Sequence, residues 1–226
     1  MSFPPKLPLR LVIFDCDGVL VDSEGPSNRA VAEAVTELGW PMDEAESMRR
    51  FVGFRLEQIA PLVEMKICRA VPDGWVEMLR RRIIDVLSRE VRPVPGALDA
   101  MRALDMLSIP YRVASNSSHQ EMRAKFARTG MLALVDRAHS ADDVGVGKPA
   151  PDVFLQAARA EGIPPAACLV IEDSVPGATA AKAAKMACLG LDPHGDGQAL
   201  RDAGATVIRS LADVPAMFRA AIRHAA

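Results

Sequence analysis

Residues 9–22 read LRLVIFDCDGVLVD, and they determine the fold expected for the rest of the chain. A largely apolar run over residues 9–14 ends at Asp15, and Asp17 and Gly18 follow it. Short continuous apolar runs are typical of strands that are buried on both faces of a parallel sheet. The stretch therefore predicts a buried strand with two carboxylates just beyond its C-terminal end.

Four more apolar runs follow and alternate with helix-like segments. The predicted strands cover residues 9–14, 111–114, 168–171, 186–189 and 206–208. The predicted helices between them cover residues 95–107, 118–129, 151–161 and 177–185. Ser118, with Glu121 three residues later, forms a capping box that marks one helix start. This alternation predicts an α/β fold whose core is a doubly wound, parallel, Rossmann-like sheet.

One segment, residues 23–91, interrupts the alternation of strands and helices. It contains helical patterns over residues 29–38, 57–63 and 75–90, but no convincing strand. Because it follows the first strand directly, we interpret it as an insertion into the core. The sequence thus predicts an all-helical cap domain over residues 23–91 and a discontinuous catalytic core domain formed by residues 1–22 and 92–226.

The bulk composition limits the kinds of partner that the chain can have. Its 226 residues carry a formal net charge of −2, 50% of them are hydrophobic and 25% are charged. This balance is ordinary for a globular protein and provides no basic field of the kind that binds nucleic acid. The N-terminal residues lack a signal-peptide core, and no apolar run approaches the length of a membrane span. We expect a cytoplasmic enzyme with no nucleic-acid or membrane partner, and the oligomeric state stays open.

Polar side chains lie just beyond three of the predicted strands, and one lysine lies between two of these groups. The set comprises Asp15, Asp17, Ser115, Asn116, Lys148, Glu172 and Asp173. Strand ends share one edge of such a sheet, so we expect these groups to converge in one crevice. Two carboxylates about 4 Å apart repel by roughly 4 kcal/mol at an effective dielectric constant near 20, so gathering four of them requires a cation. An all-oxygen ligand set favours Mg²⁺, and the nitrogen and sulfur ligands of a zinc site are absent.

With a magnesium ion in the crevice, each type of side chain has a chemical task. An aspartate can attack a phosphoryl group and form an aspartyl-phosphate. Lys148 supplies positive charge for a phosphate dianion, while the Ser115 hydroxyl and nearby backbone N–H groups can hold phosphate oxygens. A second carboxylate two residues after the nucleophile can protonate the leaving alkoxide and then deprotonate water. The pattern predicts a phosphatase that acts on a small phosphate monoester.

The motifs that carry these residues resemble those of the haloacid dehalogenase superfamily. They read FDCDGVLVD from residue 14, SN from residue 115, GKPAPDVF from residue 147 and IEDS from residue 171. The resemblance covers nearly the whole chain and includes a helical cap after the first motif. It implies that Asp15 is the nucleophile and Asp17 the acid/base. It also implies phosphate binding by Ser115, Asn116 and Lys148, and Mg²⁺ binding by the Asp15 carboxylate, the Asp17 backbone carbonyl and Asp173, with Glu172 adjacent.

Departures from other branches of the superfamily narrow the expected reaction. Dehalogenases and phosphonatases lack an aspartate at the position of Asp17. The β-phosphoglucomutase branch keeps that aspartate, but usually carries a histidine where this chain has Ser27. Its cap motif places an arginine three residues after a glycine, whereas Arg55 lies two residues after Gly53. Both departures from the mutase pattern favour a hydrolase.

The cap segment is similar to that of bacterial 6-phosphogluconate phosphatases. The similarity rests on Gly53, Arg55, Leu56 and Ile59, together with the first motif. It implies that the substrate is a sugar phosphate or sugar-acid phosphate, and that Arg55 contacts it from the cap.

Two other functions remain open at this point. One is a sugar-phosphate mutase of the β-phosphoglucomutase type, which returns the phosphoryl group to a sugar instead of to water. The more remote one is a non-enzymatic phospho-acceptor module that resembles response-regulator receivers. In receivers, the phosphorylated aspartate follows a middle strand, and there is neither an inserted cap nor an aspartate two residues further on. The sequence therefore favours an enzyme.

Overall fold

The computed structural model describes residues 8–51, 54 and 56–223, except for the side chains of residues 220–223. The strands are β1 (Leu11–Phe14), β2 (Val21–Asp22), β3 (Arg92–Pro93), β4 (Tyr111–Ser115), β5 (Ala138–Ser140), β6 (Cys168–Glu172), β7 (Ala187–Leu191) and β8 (Thr206–Ile208). The α-helices are α1 (Glu24–Glu37), α2 (Glu44–Phe51), α3 (Leu56–Ile67), α4 (Trp75–Glu90), α5 (Ala97–Met106), α6 (His119–Thr129), α7 (Asp152–Ala160), α8 (Val175–Ala183), α9 (Gln198–Ala203) and α10 (Val214–Arg223). Within the described ranges, no helix combines the length and apolar character needed to cross a bilayer.

Six strands form one parallel sheet in the order β5-β4-β1-β6-β7-β8. Each neighbouring pair is parallel, so the chain must return to the same end of the sheet before each new strand begins. Crossover connections that contain helices make this return. All five predicted strands occur, and the doubly wound α/β fold is confirmed. β5 was not predicted from the sequence because its residues, Ala138, His139 and Ser140, do not form an apolar run.

Alternate residues of β1 point into the two layers of the hydrophobic core. Val12 and Phe14 pack in the layer that includes Leu104 of α5, Phe126 of α6 and Phe218 of α10. Leu11 and Ile13 pack in the opposite layer, with residues of α7 and α8. Burying a side chain of this size contributes about 1.5–3 kcal/mol, so helices on both faces hold β1 firmly in the sheet.

Four helices, α1 to α4, occupy the interval between β2 and β3. Those two short strands pair antiparallel, with Val21 opposite Pro93 and Asp22 opposite Arg92. The pairing brings together the points where the helical segment leaves the sheet domain and returns to it. The segment is helical, as predicted, while the division at residues 22–23 and 91–92 stays a prediction.

Candidate active site

Three neighbouring strands bring predicted site residues to one edge of the sheet. β1 lies between β4 and β6, and it runs parallel to both. Asp15 follows β1 directly, Ser115 ends β4 and Glu172 ends β6. Their side chains therefore belong to the edge at which ligands of doubly wound sheets bind.

A buried lysine joins two of the carboxylates. The Lys148 ammonium donates to Oδ1 of Asp15, and its Nζ atom lies 2.6 Å from Oε1 of Glu172. The side chains of Lys148 and Glu172 are 4% and 1% exposed. Burial alone would lower the pKa of Lys148, but the two carboxylates raise it above its usual range. A fixed positive charge therefore lies beside Asp15.

Asp15 lies in surroundings that disfavour its anionic form. Burial raises the pKa of Asp15 to about 7 against the opposing effect of Lys148, and the charges of Glu172 and Asp17 add to the increase. The carboxylate form is the one that can attack phosphorus. Additional positive charge in the site would restore it.

The second oxygen of Glu172 is held by the turn that follows β6. Oε2 accepts hydrogen bonds from the backbone N–H groups of Asp173 and Ser174, at 3.0 and 2.9 Å, and from the Ser174 hydroxyl at 2.8 Å. Ser174 also caps α8 by accepting from the backbone N–H of Gly177. Because both of its oxygens are engaged, Glu172 fixes the position of Lys148 and of the turn into α8.

Asp173 differs from the other three carboxylates, since within the described residues no lysine or arginine pairs with it. A carboxylate oxygen of Asp173 lies within 4.8 Å of oxygens of Asp15 and Glu172. Burial, followed by the charges of Asp15 and Glu172, raises the pKa of Asp173 to about 9. Gly18 permits this close arrangement, because its φ is +72° and a Cβ atom there would lie 1.8 Å from Oδ2 of Asp173. Clustered carboxylates with unbalanced negative charge fit a hard divalent cation such as Mg²⁺.

The Asp17 carboxylate accepts hydrogen bonds from three side chains. The Nζ atom of Lys125 lies 2.6 Å from Oδ1 and 2.9 Å from Oδ2, the Ser117 hydroxyl donates to Oδ2 at 2.8 Å, and the Ser23 hydroxyl donates to Oδ1. Burial alone would raise the pKa of Asp17, but Lys125 and these hydrogen bonds hold it below its usual range. Asp17 is therefore anionic in this arrangement, which is the form that can accept a proton.

Ser115 is the last residue of β4, and Asn116 begins the turn that leads to α6. Ser115 is buried, and its Oγ accepts from the backbone N–H of Ser117 at 3.0 Å. Oδ1 of Asn116 accepts from the backbone N–H of Lys148 at 2.8 Å, and this hydrogen bond joins the turn to the loop that contains Lys148. The turn leads into the N-terminus of α6, the positive end of the helix dipole, which favours an anion.

Sequence reasoning missed three of these residues, Lys125, Ser117 and Ser23. A lysine within a polar helical stretch is expected to face solvent, yet Lys125 is only 3% exposed. The sequence does contain a signal, because Lys125 lies three residues after Met122 and directly before Phe126. These residues share the buried face of α6, so the lysine interrupts an apolar stripe.

Gly53 and Arg55, on which the predicted substrate contact rests, lie outside the described residues. Nearby in the chain, Leu56 begins α3 and Ile59 is buried in the same helix. A role for Arg55 in substrate binding therefore stays a prediction.

Comparison with models of known families identifies the class of protein. Residues 9–185, which are most of the chain, match the model of a haloacid dehalogenase-like hydrolase. The chain belongs to this hydrolase family, and the predicted membership is confirmed.

The chain is also similar to individual curated proteins and to solved structures. The chain is 30% identical to the 6-phosphogluconate phosphatase of Escherichia coli over 172 residues, 75% of this chain and 76% of the relative. It is 33% identical over 205 residues to the chloroplastic protein SUPPRESSOR OF QUENCHING 1 of Arabidopsis thaliana; this match covers 88% of the chain but only 19% of that much longer protein. A crystal structure of a HAD family hydrolase from Deinococcus radiodurans R1, with bound phosphate and sodium, is similar with a TM-score of 0.79 and 32% identity, covering 96% of this chain and 97% of that one.

Proposed function

We propose that this hydrolase is a Mg²⁺-dependent phosphatase that cleaves a small phosphate monoester through a phospho-aspartate on Asp15. The observation that carries the proposal is the contact between Asp15 and the buried Lys148 ammonium, with a second carboxylate, Asp17, two residues further on. Named phosphatases among the relatives support the reaction class. The family match to hydrolases favours it over a non-enzymatic phospho-acceptor module.

In the first step, an Asp15 oxygen attacks phosphorus and the bond between phosphorus and the ester oxygen breaks. The leaving alkoxide takes a proton from the Asp17 carboxyl group. Lys148, with Ser115 and Asn116 in the facing turn, binds the oxygens of the transferring phosphoryl group. Because Asp17 is anionic in the arrangement described above, it must take up a proton before this step.

In the second step, a water molecule loses a proton to the Asp17 carboxylate and its oxygen attacks the phosphorus of the aspartyl-phosphate. The acyl-phosphate bond breaks, and Asp15 and inorganic phosphate are released. Asp17 is then protonated again and ready for the next substrate. One residue thus serves as acid in the first step and base in the second.

The metal proposed for this site is Mg²⁺, held by the carboxylates of Asp15 and Asp173 and by the backbone carbonyl of Asp17, with Glu172 adjacent. When bound, it offsets the negative charge of the phosphate and of the carboxylates. Two buried lysines, Lys148 and Lys125, offset part of that charge, and Asp173 has no such partner among the described residues. The raised pKa values of Asp15 and Asp173 support the need for a cation.

A sugar phosphate or sugar-acid phosphate, such as 6-phosphogluconate, is the proposed substrate class, in a cytoplasmic setting. The cap residues that resemble 6-phosphogluconate phosphatases and the similarity to the Escherichia coli phosphatase support it. A β-phosphoglucomutase-type reaction is the second candidate, because it uses the same pair of aspartates. Ser27 in place of the mutase histidine favours the hydrolase.

The proposal can be tested with purified protein and a panel of phosphate monoesters that includes 6-phosphogluconate, hexose phosphates and p-nitrophenyl phosphate. We expect release of inorganic phosphate with Mg²⁺, none after EDTA treatment, and poor activity with Ca²⁺, whose looser coordination displaces nucleophile and phosphate. Full activity of the metal-free protein would refute the assignment of the metal. Isomerisation of a sugar phosphate that depends on a bisphosphate activator would instead identify a mutase.

A further inference from the structure

One buried cation at the site has no part in the reaction as described so far. Lys125, on α6, is 3% exposed and lies on the apolar face of the helix with Met122 and Phe126. Its ammonium contacts both oxygens of Asp17 and lies 2.8 Å from the Ser117 hydroxyl. An ammonium group has three protons, so these three contacts use all of them.

Stability alone does not explain a lysine at this position. Replacing a buried ion pair with well-packed apolar residues is often neutral or stabilising, because the attraction between the charges barely offsets their desolvation. Met122 and Phe126 on the same helix face are apolar, so a leucine or methionine at position 125 would extend that stripe. The charged contact to Asp17 is therefore the feature that distinguishes lysine from these residues.

The contact determines where the Asp17 carboxylate points. Lys125 donates to both oxygens of Asp17, and the Ser23 and Ser117 hydroxyls are the other two donors. The two serines each contact one oxygen, whereas Lys125 contacts both. Lys125 is the charged donor of the three, and its loss would leave each oxygen with a single hydroxyl donor.

We infer that Lys125 is a positioning residue for the acid/base: its ammonium holds the Asp17 carboxylate at the angle and distance from Asp15 that proton transfer to the leaving group requires. The inference rests on the proposed function, in which Asp17 is the acid/base. Lys125 itself touches neither the phosphoryl group nor the leaving oxygen in this role. Its loss should therefore affect only the steps in which Asp17 transfers a proton.

Leaving groups separate this role from a structural one. An alkoxide leaves only with a proton, whereas p-nitrophenolate is stable as an anion and needs no acid. The test compares Lys125→Met with wild-type protein in single-turnover experiments with Mg²⁺. Two rates are measured: the release of alcohol from the best alkyl phosphate of the panel, and the release of p-nitrophenol from p-nitrophenyl phosphate. We expect the rate of alcohol release to fall by roughly 30-fold or more, since a positioned acid contributes about 10²- to 10⁴-fold. The rate of p-nitrophenol release should change by less than about threefold.

A double-mutant cycle then asks whether Lys125 acts through Asp17. We expect Lys125→Met to slow alcohol release by less than about twofold when it is added to Asp17→Asn, because the carboxylate that it positions is already absent. Thr129→Val is the matched control: the Thr129 hydroxyl donates to the backbone carbonyl of Lys125 one helical turn away and does not contact Asp17. This variant disturbs the same helix, and any change in the rate of release should be the same for both esters.

Several results would overturn the inference. One is a folded Lys125→Met protein that releases alcohol at the wild-type rate. Another is a rate that falls by the same factor on both esters. A third is a double variant in which the effects of Lys125→Met and Asp17→Asn on alcohol release add. If Lys125→Met does not fold, Lys125→Gln takes its place in every comparison; if neither folds while Thr129→Val does, Lys125 is a structural residue and the inference is wrong. A wild-type protein that hydrolyses no monoester would refute the proposed function itself.

Discussion

The Nζ atom of Lys148 lies 2.6 Å from Oε1 of Glu172, and this buried ion pair joins the loop before α7 to the end of β6. The same ammonium also contacts Asp15, so one lysine is the ion-pair partner of two carboxylates. Removing one partner of a buried ion pair leaves an uncompensated charge, which costs about 3–5 kcal/mol. Loss of Lys148 should therefore destabilise the fold, because Glu172 would be left buried without a cation.

Lys148→Met should lower the free energy of unfolding in metal-free protein by about 3–5 kcal/mol, because both Asp15 and Glu172 lose their cation. Urea unfolding followed by circular dichroism measures the change. Lys182→Met, which removes an exposed lysine on α8, is the matched control and should stay within about 0.5 kcal/mol of wild type. A Lys148→Met protein as stable as this control would show that the two carboxylates tolerate burial without the lysine.

Gly18→Ala tests the contact between the first motif and Asp173. An added Cβ atom would lie 1.8 Å from Oδ2 of Asp173, so the carboxylate must move away. Displacing a metal-site group commonly costs about 10- to 100-fold in metal affinity, and we expect a loss of this size in the Kd for Mg²⁺ measured by calorimetry. Activity should fall with it.

Gly130→Ala separates this effect from backbone strain. Gly130 ends α6 at a φ of +76°, close to the +72° of Gly18, but a Cβ atom there would meet nothing within 4 Å. Both variants should lose about 1–2 kcal/mol of stability through the left-handed conformation. Only Gly18→Ala should lose Mg²⁺ affinity, and equal affinity in the two proteins would remove Asp173 from the metal site.

Asp15→Asn should abolish turnover while leaving the fold intact. The amide keeps the shape of the side chain and an oxygen that can accept from Lys148, and it removes like-charge repulsion from Glu172 and Asp17. Unfolding in urea should therefore show unchanged or slightly increased stability. Asp136→Asn, at an exposed position, should retain full activity as a control. Measurable residual phosphatase activity in a folded Asp15→Asn protein would rule out Asp15 as the nucleophile.

Much of the sheet could be predicted from the sequence because buried parallel strands leave a clear apolar signal. The strand Thr206–Ile208 has the predicted bounds, and the other predicted strands shift by one or two residues. Elements with weaker patterns were missed. Half of the residues of the helix Glu44–Phe51 are charged and it buries only Ser47 and Phe51, so its apolar face is too narrow to indicate a helix.

At the site too, some residues could be predicted from local sequence patterns, whereas others depend on contacts between distant parts of the chain. The motif residues other than Lys148 lie at strand ends, and the C-terminal ends of parallel strands share one edge of the sheet, so the strand pattern was enough to predict that they converge. Lys125 is 108 residues away from Asp17 in the sequence, and their contact depends on how α6 packs against the sheet. No spacing rule connects such a pair, and only an interrupted apolar stripe indicates that the lysine is buried.

Arg55→Ala tests the predicted substrate contact from the cap. An acidic sugar phosphate offers a second anion beyond the phosphate, and a guanidinium can bind a carboxylate with two hydrogen bonds. Hydrogen bonds to charged groups contribute about 1.5–3 kcal/mol, so kcat/KM for 6-phosphogluconate should fall by roughly 10- to 150-fold. Activity toward p-nitrophenyl phosphate, which has no second anion, should change far less.

The pattern of losses on the two substrates decides what Arg55 does. Arg49→Ala, which removes an exposed arginine of α2, controls for the general loss of positive charge near the cap and should leave both activities unchanged. Equal losses on both substrates for Arg55→Ala would indicate a role in the phosphoryl-transfer site or in folding. Wild-type kcat/KM on both would exclude Arg55 as a substrate contact, because a lost charged hydrogen bond would lower the value for the acidic substrate.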